Sequence, residues 1–422
     1  MNKKRFKLFF TLLFVCIFNF SLLAQTTIKK IENDWTLLVD EKPFEIKGVT
    51  FGHDKDVENY DTYFQDLKFL GVNSIRLWAT NQNTRQLLDS AHKYDIKVMV
   101  GIWMRHGRPG MEDDDSFNYL EDKEGMEDMY KNAIKTVEDY KNHPAVLTWA
   151  IGNEVYLNIA TDEEKDAYSK LLERICSSIK KLDSNHPITS VEAWTFGLDW
   201  WEKYVPSIDV YGLNSYGPGA NYLSVELDKR GIDKPYIITE FGVTGEWDIK
   251  AKKNDIVVEP TDKQKYDAIA TGYNKWIKNK PACLGVYVFH YANGKDFGSK
   301  WLFTHYRKMY RPQYWAIREA YTGNKPINHI PIIKKFELPE TEIKSGKWVP
   351  ISLEVEDAEN EKLTYQFYYN QRTGSRKRRD QINPLEHHIN KSGEYEIRLP
   401  EEHGAIKVYV NVIDELANVG IA

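Results

Sequence analysis

The sequence predicts an α/β protein: a closed barrel of eight parallel strands, with a small all-β domain behind it. Three observations predict it. Short apolar runs of strand character recur between residues 44 and 291, separated by helical segments. Two of those runs end in a glutamate, Glu154 and Glu240, which puts a carboxylate at the same end of two buried strands. After Asn324 the helical period gives way to alternation of apolar and polar residues. Strands alternating with helices run parallel and are joined by right-handed crossovers. Eight such units close into a barrel of the TIM (β/α)8 type. A doubly wound open sheet is the rival architecture, but no glycine-rich phosphate loop follows any strand.

Taken in order, the first strand is read at 44–49. A helix follows over 61–70, with Tyr63, Phe64, Leu67 and Leu70 on one face and Gly71 where a C-cap belongs. Strand two is 72–78, and Leu87, Leu88, Ala91 and Tyr94 mark the next helix. Strand three is 98–103. The acidic run Glu112-Asp113-Asp114-Asp115 reads as solvated charge rather than as a metal site. A helical period from Met126 to Tyr140 leads to strand four at 145–151, which breaks off in Gly152-Asn153-Glu154. Thr161 with Glu164 is a capping box that opens a helix through Leu171, Leu172, Ile175 and Ile179. Strand five is 188–192, strand six 210–216, a weak helix 222–227 and strand seven 235–240. A second capping box, Thr261 with Gln264, opens a helix to about 278. Strand eight is 284–291, and a last helix covers 312–321. The barrel is expected over 30–324. Pro326, Pro331 and Pro339 punctuate the entry to 325–422, where alternating strands at 349–355, 363–369, 393–399 and 406–412 read as an Ig-like β-sandwich. The basic run Arg376-Lys377-Arg378-Arg379 reads as a solvated hairpin tip.

Residues 1–24 read as a signal peptide. Lys3, Lys4, Arg5 and Lys7 precede an apolar run over 8–23, and Ala24 suits the last position before cleavage. The expectation is a secreted, periplasmic or cell-surface protein with no stable membrane insertion after cleavage, since the run is short for a span. Cys16 leaves a lipid anchor open, although Val15 is not the small residue such a site wants. The 422 residues are 42% hydrophobic, enough for a large core, and a net charge of −5 argues against nucleic acid as the partner. With the leader gone only Cys176 and Cys283 remain. They make no disulfide framework, and no metal-ligand spacing is present, so no metal or other cofactor is expected. Aromatic residues reach 13%, with 12 Trp and 26 Tyr, which suits a large core or a surface that stacks on sugars. A monomer is expected.

In a barrel of this type the working face is the C-terminal end of the strands. Glu154 and Glu240 both lie there. A carboxylate at the tip of a buried strand carries a desolvation cost unless it is paired or used. Two carboxylates about 5–5.5 Å apart across a pocket suit glycoside hydrolysis, one attacking the anomeric carbon and one protonating the leaving oxygen. Arg76 and Tyr216, at the ends of strands two and six, can supply hydrogen-bond donors to the ionised partner. Asn153 can bind a sugar hydroxyl. Trp78, Trp103, Trp194, Trp200, Trp201, Trp247 and Trp301 lie at or after strand ends, where some can line subsites, whereas Trp149 reads as core. Glu192 reads equally as a site residue or a structural carboxylate, and His53 as a solvated loop residue with a possible substrate contact.

Trp149-Ala150-Ile151-Gly152-Asn153-Glu154 resembles the strand-four Asn-Glu motif of the clan A glycoside hydrolases, and Thr239-Glu240-Phe241-Gly242 resembles their strand-seven nucleophile motif. Arg76 within Ser74-Ile75-Arg76-Leu77-Trp78 is similar to their strand-two Arg, and Asn214-Ser215-Tyr216 to their strand-six Asn-x-Tyr. The resemblance implies Glu154 as acid/base, Glu240 as nucleophile and retention of configuration. It covers the whole barrel, in the order of the motifs. One departure is the end of strand eight, where the clan usually has a Trp and this chain has His290 and Tyr291; Tyr291 or Trp301 is the expected stacking platform. The barrel is similar to the family 2 type. Together with an Ig-like domain it also resembles laminarin-active endo-β-1,3-glucanases. The expected substrate is therefore a neutral oligo- or polysaccharide, a β-glucan with β-1,3 linkage favoured. A transglycosylase of the same clan, or a non-catalytic surface glycan-binding protein, are the alternatives.

Overall fold

The computed structural model describes residues 25–107, 115–245, 248–250, 252–253, 256–257, 260–292, 309–339, 343–371 and 382–422. The leader, Glu112–Asp114, Trp247, Trp301 and the basic run at 376–379 lie outside the described residues.

Eight strands form a closed parallel barrel: β1 (Ile46–Phe51), β2 (Ser74–Arg76), β3 (Lys97–Ile102), β4 (Val146–Asn153), β5 (Ile188–Ala193), β6 (Val210–Asn214), β7 (Tyr236–Phe241) and β8 (Cys283–Tyr291). Each pairs with its neighbour in sequence, and β8 returns to pair with β1. The helices between them are α1 (Tyr60–Phe69), α2 (Thr84–Lys93), α3 (Lys123–Tyr140), α4 (Asp162–Leu182), α5 (Leu198–Tyr204), α6 (Leu223–Lys229) and α7 (Asp262–Gly272), with α8 (Pro312–Thr322) after β8. The cause is the burial of each strand on both faces. One face points into the barrel and the other meets the helices, so strand residues are apolar in succession rather than alternately.

The inside of the barrel is layered. At the bottom Ile46, Met99, Leu147, Val210, Ile237 and Leu284 pack with Leu37 and Val39. The last two belong to an antiparallel sheet of Thr26–Ile31, Asp34–Val39 and Lys42–Pro43, which closes the lower end. Above this layer the Ser74 and Tyr287 hydroxyls meet at 2.8 Å, and the Tyr287 ring fills the space beside Gly48, where a Cβ would come within 2.3 Å of it. Higher still the interior is polar. Outside, α1 buries Tyr60, Tyr63, Phe64 and Leu67 against the barrel wall, each fully buried apolar side chain contributing about 1.5–3 kcal/mol. Gly71 ends that helix at φ 80°, which only glycine adopts at no cost. The Thr261–Gln264 capping box forms in full. At Thr161 the hydroxyl accepts from the Glu164 backbone N–H, but the Glu164 carboxylate turns to the hydroxyl instead of the backbone. Cys176 is buried, pushed up to a non-reactive thiol by its surroundings, and Cys283 is half-buried.

Before the end of the barrel, α5 and the N-terminal sheet are elements the sequence reading did not mark; beyond it, Ile332–Glu337, Asn383–Pro384, His387–Ile389 and Val419–Ile421 are further strands, and the expected strand 349–355 is split into Trp348–Pro350 and Ser352–Glu356. α5 had no periodic run to mark it, being seven residues with two adjacent tryptophans. The N-terminal sheet begins in Thr26–Ile31, which is mostly polar, with only Thr26 buried, Thr27 and Ile28 half-buried and the rest exposed.

Beyond α8 the chain forms small antiparallel sheets. Thr364–Gln371 pairs along its whole length with Ile406–Ile413, flanked by Asn383–Pro384 and Val419–Ile421. Trp348–Pro350, Tyr395–Arg398 and His387–Ile389 make a second sheet, and Ile332–Glu337 with Ser352–Glu356 a third. Phe367, Val410 and Val412 from the first pack against Ile397 of the second, the buried layer of a β-sandwich. The sandwich is stitched to the barrel through Asp262, which is buried and accepts from Lys265 Nζ at 2.9 Å, Arg311 Nη2 at 2.9 Å and the Ile421 backbone N–H at 3.0 Å. Burial opposes ionisation of Asp262, but Arg311 and Lys265 outweigh it and hold its carboxyl below the usual range. No helix among the described residues is long and apolar enough to cross a membrane.

Candidate active site

The end of β4 decides the geometry. In a regular strand consecutive side chains point to opposite faces, so Asn153 and Glu154 could not both enter the mouth. Here β4 carries a bulge: Ile151 pairs with Ser190 and Asn153 with Val191, so two steps on β4 match one on β5. Gly152 takes φ 73° and Glu154 φ 53°. A side chain at 152 would meet the Tyr168 hydroxyl at 2.6 Å. The result is that Asn214 Nδ2, at the tip of β6, reaches Glu154 Oε1 at 2.7 Å and Asn153 Oδ1 at 3.3 Å. The orientation of the Asn214 amide is fixed by its other end, where Oδ1 accepts from Thr239 Oγ1 at 2.8 Å.

Glu240, at the tip of β7, is held by three donors. Arg76 Nη1 donates to Oε1 at 2.9 Å, Trp78 Nε1 to the same oxygen at 3.2 Å, and Tyr216 OH to Oε2 at 2.7 Å. Every one of these partners donates, so the side chain serves as an acceptor. Arg76 also donates to the Thr239 carbonyl at 3.0 Å and, through Nη2, to Asn153 Oδ1 at 2.6 Å. A single polar chain therefore runs Glu240–Arg76–Asn153–Asn214–Glu154 across the mouth. The Tyr216 hydroxyl is pushed far above its ordinary range, first by burial and then by the charges of Glu240 and Glu154, so it stays a donor.

The structure thus brings Arg76, Asn153, Glu154, Tyr216 and Glu240 together. Trp78 is placed there too, with its indole N–H on Glu240. Trp103 stands half-buried beside His106, ring centroids 4.9 Å apart, and His106 Nε2 lies 2.7 Å from the Asn153 carbonyl. Trp194 follows β5 at φ 49°, its backbone N–H bonded to the Asn214 carbonyl.

Tyr291 is a correction. It is fully buried behind the barrel wall, its hydroxyl donating to Asp66 Oδ2 at 2.8 Å and its ring stacked on Phe51. The reason is a second bulge. Between Val288 and Tyr291 the strand advances three residues while β1 advances two, from Val49 to Phe51, so Tyr291 falls on the outer face with Val288. Phe289 faces the mouth in its place, near Trp78 and Tyr216 at 5.9 and 6.2 Å between centroids. His53 likewise packs into an aromatic cluster, stacked on Tyr63 at 4.1 Å.

Glu192 is structural. It is fully buried and accepts from the backbone N–H groups of Tyr156 and Ala193, each at 2.7 Å, and from Leu157. It thereby pins the loop that follows Glu154. Burial, then the Glu154 charge, push its carboxyl well above the usual range against these donors. Sequence reasoning assigned no role to Asn214, Asn158, His106, Thr239 or Phe289. Asn214 and Thr239 are the two with a visible signal, since both lie inside the quoted motifs Asn214-Ser215-Tyr216 and Thr239-Glu240-Phe241-Gly242. Asn158 bonds the Glu154 carbonyl at 2.8 Å and steadies the loop from outside. Among the described residues no group of three or more His, Cys, Asp or Glu side chains is arranged to hold a metal ion.

Known proteins share the barrel that carries this site. The family described as glycosyl hydrolases family 2, TIM barrel domain, matches residues 30–298. The β-glucuronidase of Chlorocebus aethiops is 27% identical over 259 residues, which is 52% of this chain and 36% of that protein. A Bacteroides uniformis β-glucuronidase structure superposes with a TM-score of 0.55 at 12% identity, covering 94% of this chain and 47% of that one. A GH2 β-galacturonidase structure from Eisenbergiella tayi gives 0.53 at 19%, covering 71% and 54%. The chain spans only about a third to a half of the length of these relatives. They lend no support to the laminarin-active glucanase group expected from the sequence. With both glutamate motifs inside the matched region, the chain belongs to glycosyl hydrolase family 2 through its TIM barrel domain.

Proposed function

We propose that the chain is a retaining β-glycosidase in which Glu240 is the nucleophile and Glu154 the acid/base. The observation that supports this reading best is the polar chain joining the two carboxylates across one mouth, with donors gathered on Glu240. In the reaction Glu240 attacks the anomeric carbon while Glu154 gives its proton to the leaving oxygen. The glycosidic bond breaks and a glycosyl ester on Glu240 forms. Glu154, now a base, takes a proton from water, which attacks the same carbon, restores the configuration and frees Glu240. Arg76, Trp78 and Tyr216 hold the nucleophile on its line of attack. Asn153 has its oxygen committed to Arg76 and Asn214, which leaves its amide nitrogen for a sugar hydroxyl.

For the sugar, the relatives are named as β-glucuronidases and a β-galacturonidase, so a β-linked hexuronide is the first substrate class proposed. The neutral β-glucan expected from the sequence is the second, supported by the aromatic mouth of Trp78, Trp103 and Phe289. Secretion through residues 1–24 is part of the proposal. The test is turnover by purified protein of 4-nitrophenyl β-glucuronide, β-galacturonide and β-glucoside and of β-1,3-glucan, with chromatography of products. Hydrolysis lost on Glu240→Gln supports the reading. Longer products from a short oligosaccharide indicate transglycosylation, and glycan binding without any turnover a non-catalytic protein.

A further inference from the structure

A groove of about 810 Å³ lies beside the mouth, in a place the chemistry above does not use. Its walls are the loop after β4, from Tyr156 to Ala160, the segment Trp194–Phe196 after β5, and the start of α5 with Asp199 and Trp200. We propose that this groove is the binding site for the leaving-group half of the substrate, and that it takes a neutral pyranose. The proposal rests on the assignment of Glu154 as the acid.

Position is the first argument. The groove's lining begins at Tyr156, two residues after Glu154, and includes Trp194, whose backbone N–H bonds the carbonyl of Asn214, the partner of Glu154. The group that departs is the one whose oxygen Glu154 protonates, so it must sit on this side.

Surface chemistry is the second. Phe196 is 51% exposed and lines the groove beside Trp194 and Trp200. Trp194 is half-buried, with its ring edge against the loop after β6 at Gly219. Trp200 is backed by Tyr156, centroids 5.7 Å apart. Flat apolar faces beside polar groups suit the C–H face of a sugar ring with its hydroxyls at the edge.

Charge is the third. Lys165 lies over Trp200 at 4.7 Å but pairs with Asp162 at 3.1 Å. Arg230 pairs with Glu226 at 2.9 Å and Asp199 at 3.6 Å. Each cation is matched by a carboxylate, so the groove offers no net charge to an ionic ligand. It follows that the bond cleaved joins the glycone to a neutral sugar, and that the substrate is an oligosaccharide.

The experiment compares Phe196→Ala with the native sequence on two substrates that share whichever glycone is turned over: the glycosyl fluoride, whose leaving group is too small to fill the groove, and a disaccharide with a neutral reducing-end sugar. Phe196 is exposed, so its removal leaves the core intact. The expected result is a loss of about tenfold in kcat/KM on the disaccharide, the scale of one aromatic face, and a change below twofold on the glycosyl fluoride. Equal changes on both substrates, or none on either, overturn the proposal. If the native protein turns over neither, the glycosidase reading fails, and the groove is judged by calorimetric binding of laminaritetraose and cellotetraose. Binding that Phe196→Ala abolishes upholds the groove; no binding by the native protein overturns it.

Discussion

Arg76 is the side chain whose removal tests the site most directly. It is 1% exposed and its partner Glu240 is 8% exposed. Replacing it with methionine fills much of the volume but leaves a carboxylate buried without its countercharge. Breaking a buried pair from one side costs about 3–5 kcal/mol. At about 2–4 °C per kcal/mol for a large domain, the melting temperature falls by on the order of 10 °C. The same substitution releases three acceptors at once: the Thr239 carbonyl, Glu240 Oε1 and Asn153 Oδ1. Misplacing a reacting group by about 1 Å can cost roughly 10²-fold in rate, so kcat/KM falls by at least about that factor. Arg76→Lys keeps the charge but not the fork. It recovers part of the melting temperature and little of the rate. The measurements are thermal denaturation and steady-state kinetics on the best substrate of the glycoside panel. An Arg76→Met protein as stable and as active as the native one would refute the argument that this guanidinium organises the mouth.

Other outcomes follow from the same geometry. Glu154→Ala should slow release of a poor leaving group by about 10²–10⁴-fold and spare an activated aryl glycoside, with added azide restoring turnover as a β-glycosyl azide; equal losses on both substrates would contradict an acid role. Gly152→Ala should cost at least about 1–2 kcal/mol for its left-handed backbone plus the contact with the Tyr168 hydroxyl at 2.6 Å, and adding Tyr168→Phe should return the second part only, as read from urea denaturation. Asp262 has a folded pKa below its unfolded value of about 3.9, so its contribution is present above that value and is lost as pH falls through the folded pKa. Asp262→Asn should therefore destabilise at pH 7 by about 3–5 kcal/mol and flatten the acid limb of the stability profile, whereas an unchanged profile would show that the sandwich is not anchored there.

The barrel was legible because burial on both faces writes each strand as an unbroken apolar run. Glu154 and Glu240 stood out because each ends such a run with a group that burial disfavours. Tyr291 misled because its face depends on a bulge between Val288 and Tyr291, and a bulge leaves no mark in the pattern of residue types. Trp78 was legible as a mouth residue but not as a donor to Glu240, since a side-chain bond across the barrel depends on the spacing of β2 and β7. Asn214 went without a role for the same reason: its work is to reach two residues on β4, about 60 positions away in the chain. The N-terminal sheet was missed because Thr26–Ile31 buries only its first residue, which leaves no alternation to read.

The extra residue at the tip of β4 changes how much chemistry the barrel can display. A strand of even pleat offers the mouth one side chain at its rim, whereas β4 offers two neighbours, a carboxylate and the amide that links it to Arg76. β5 contributes no side chain to the polar chain across the mouth. Its own terminal acid, Glu192, is free to serve as masonry, gripping the turn from which Glu154 projects. A family 2 barrel wound this way can vary the walls after β5 without touching Glu154 or Glu240.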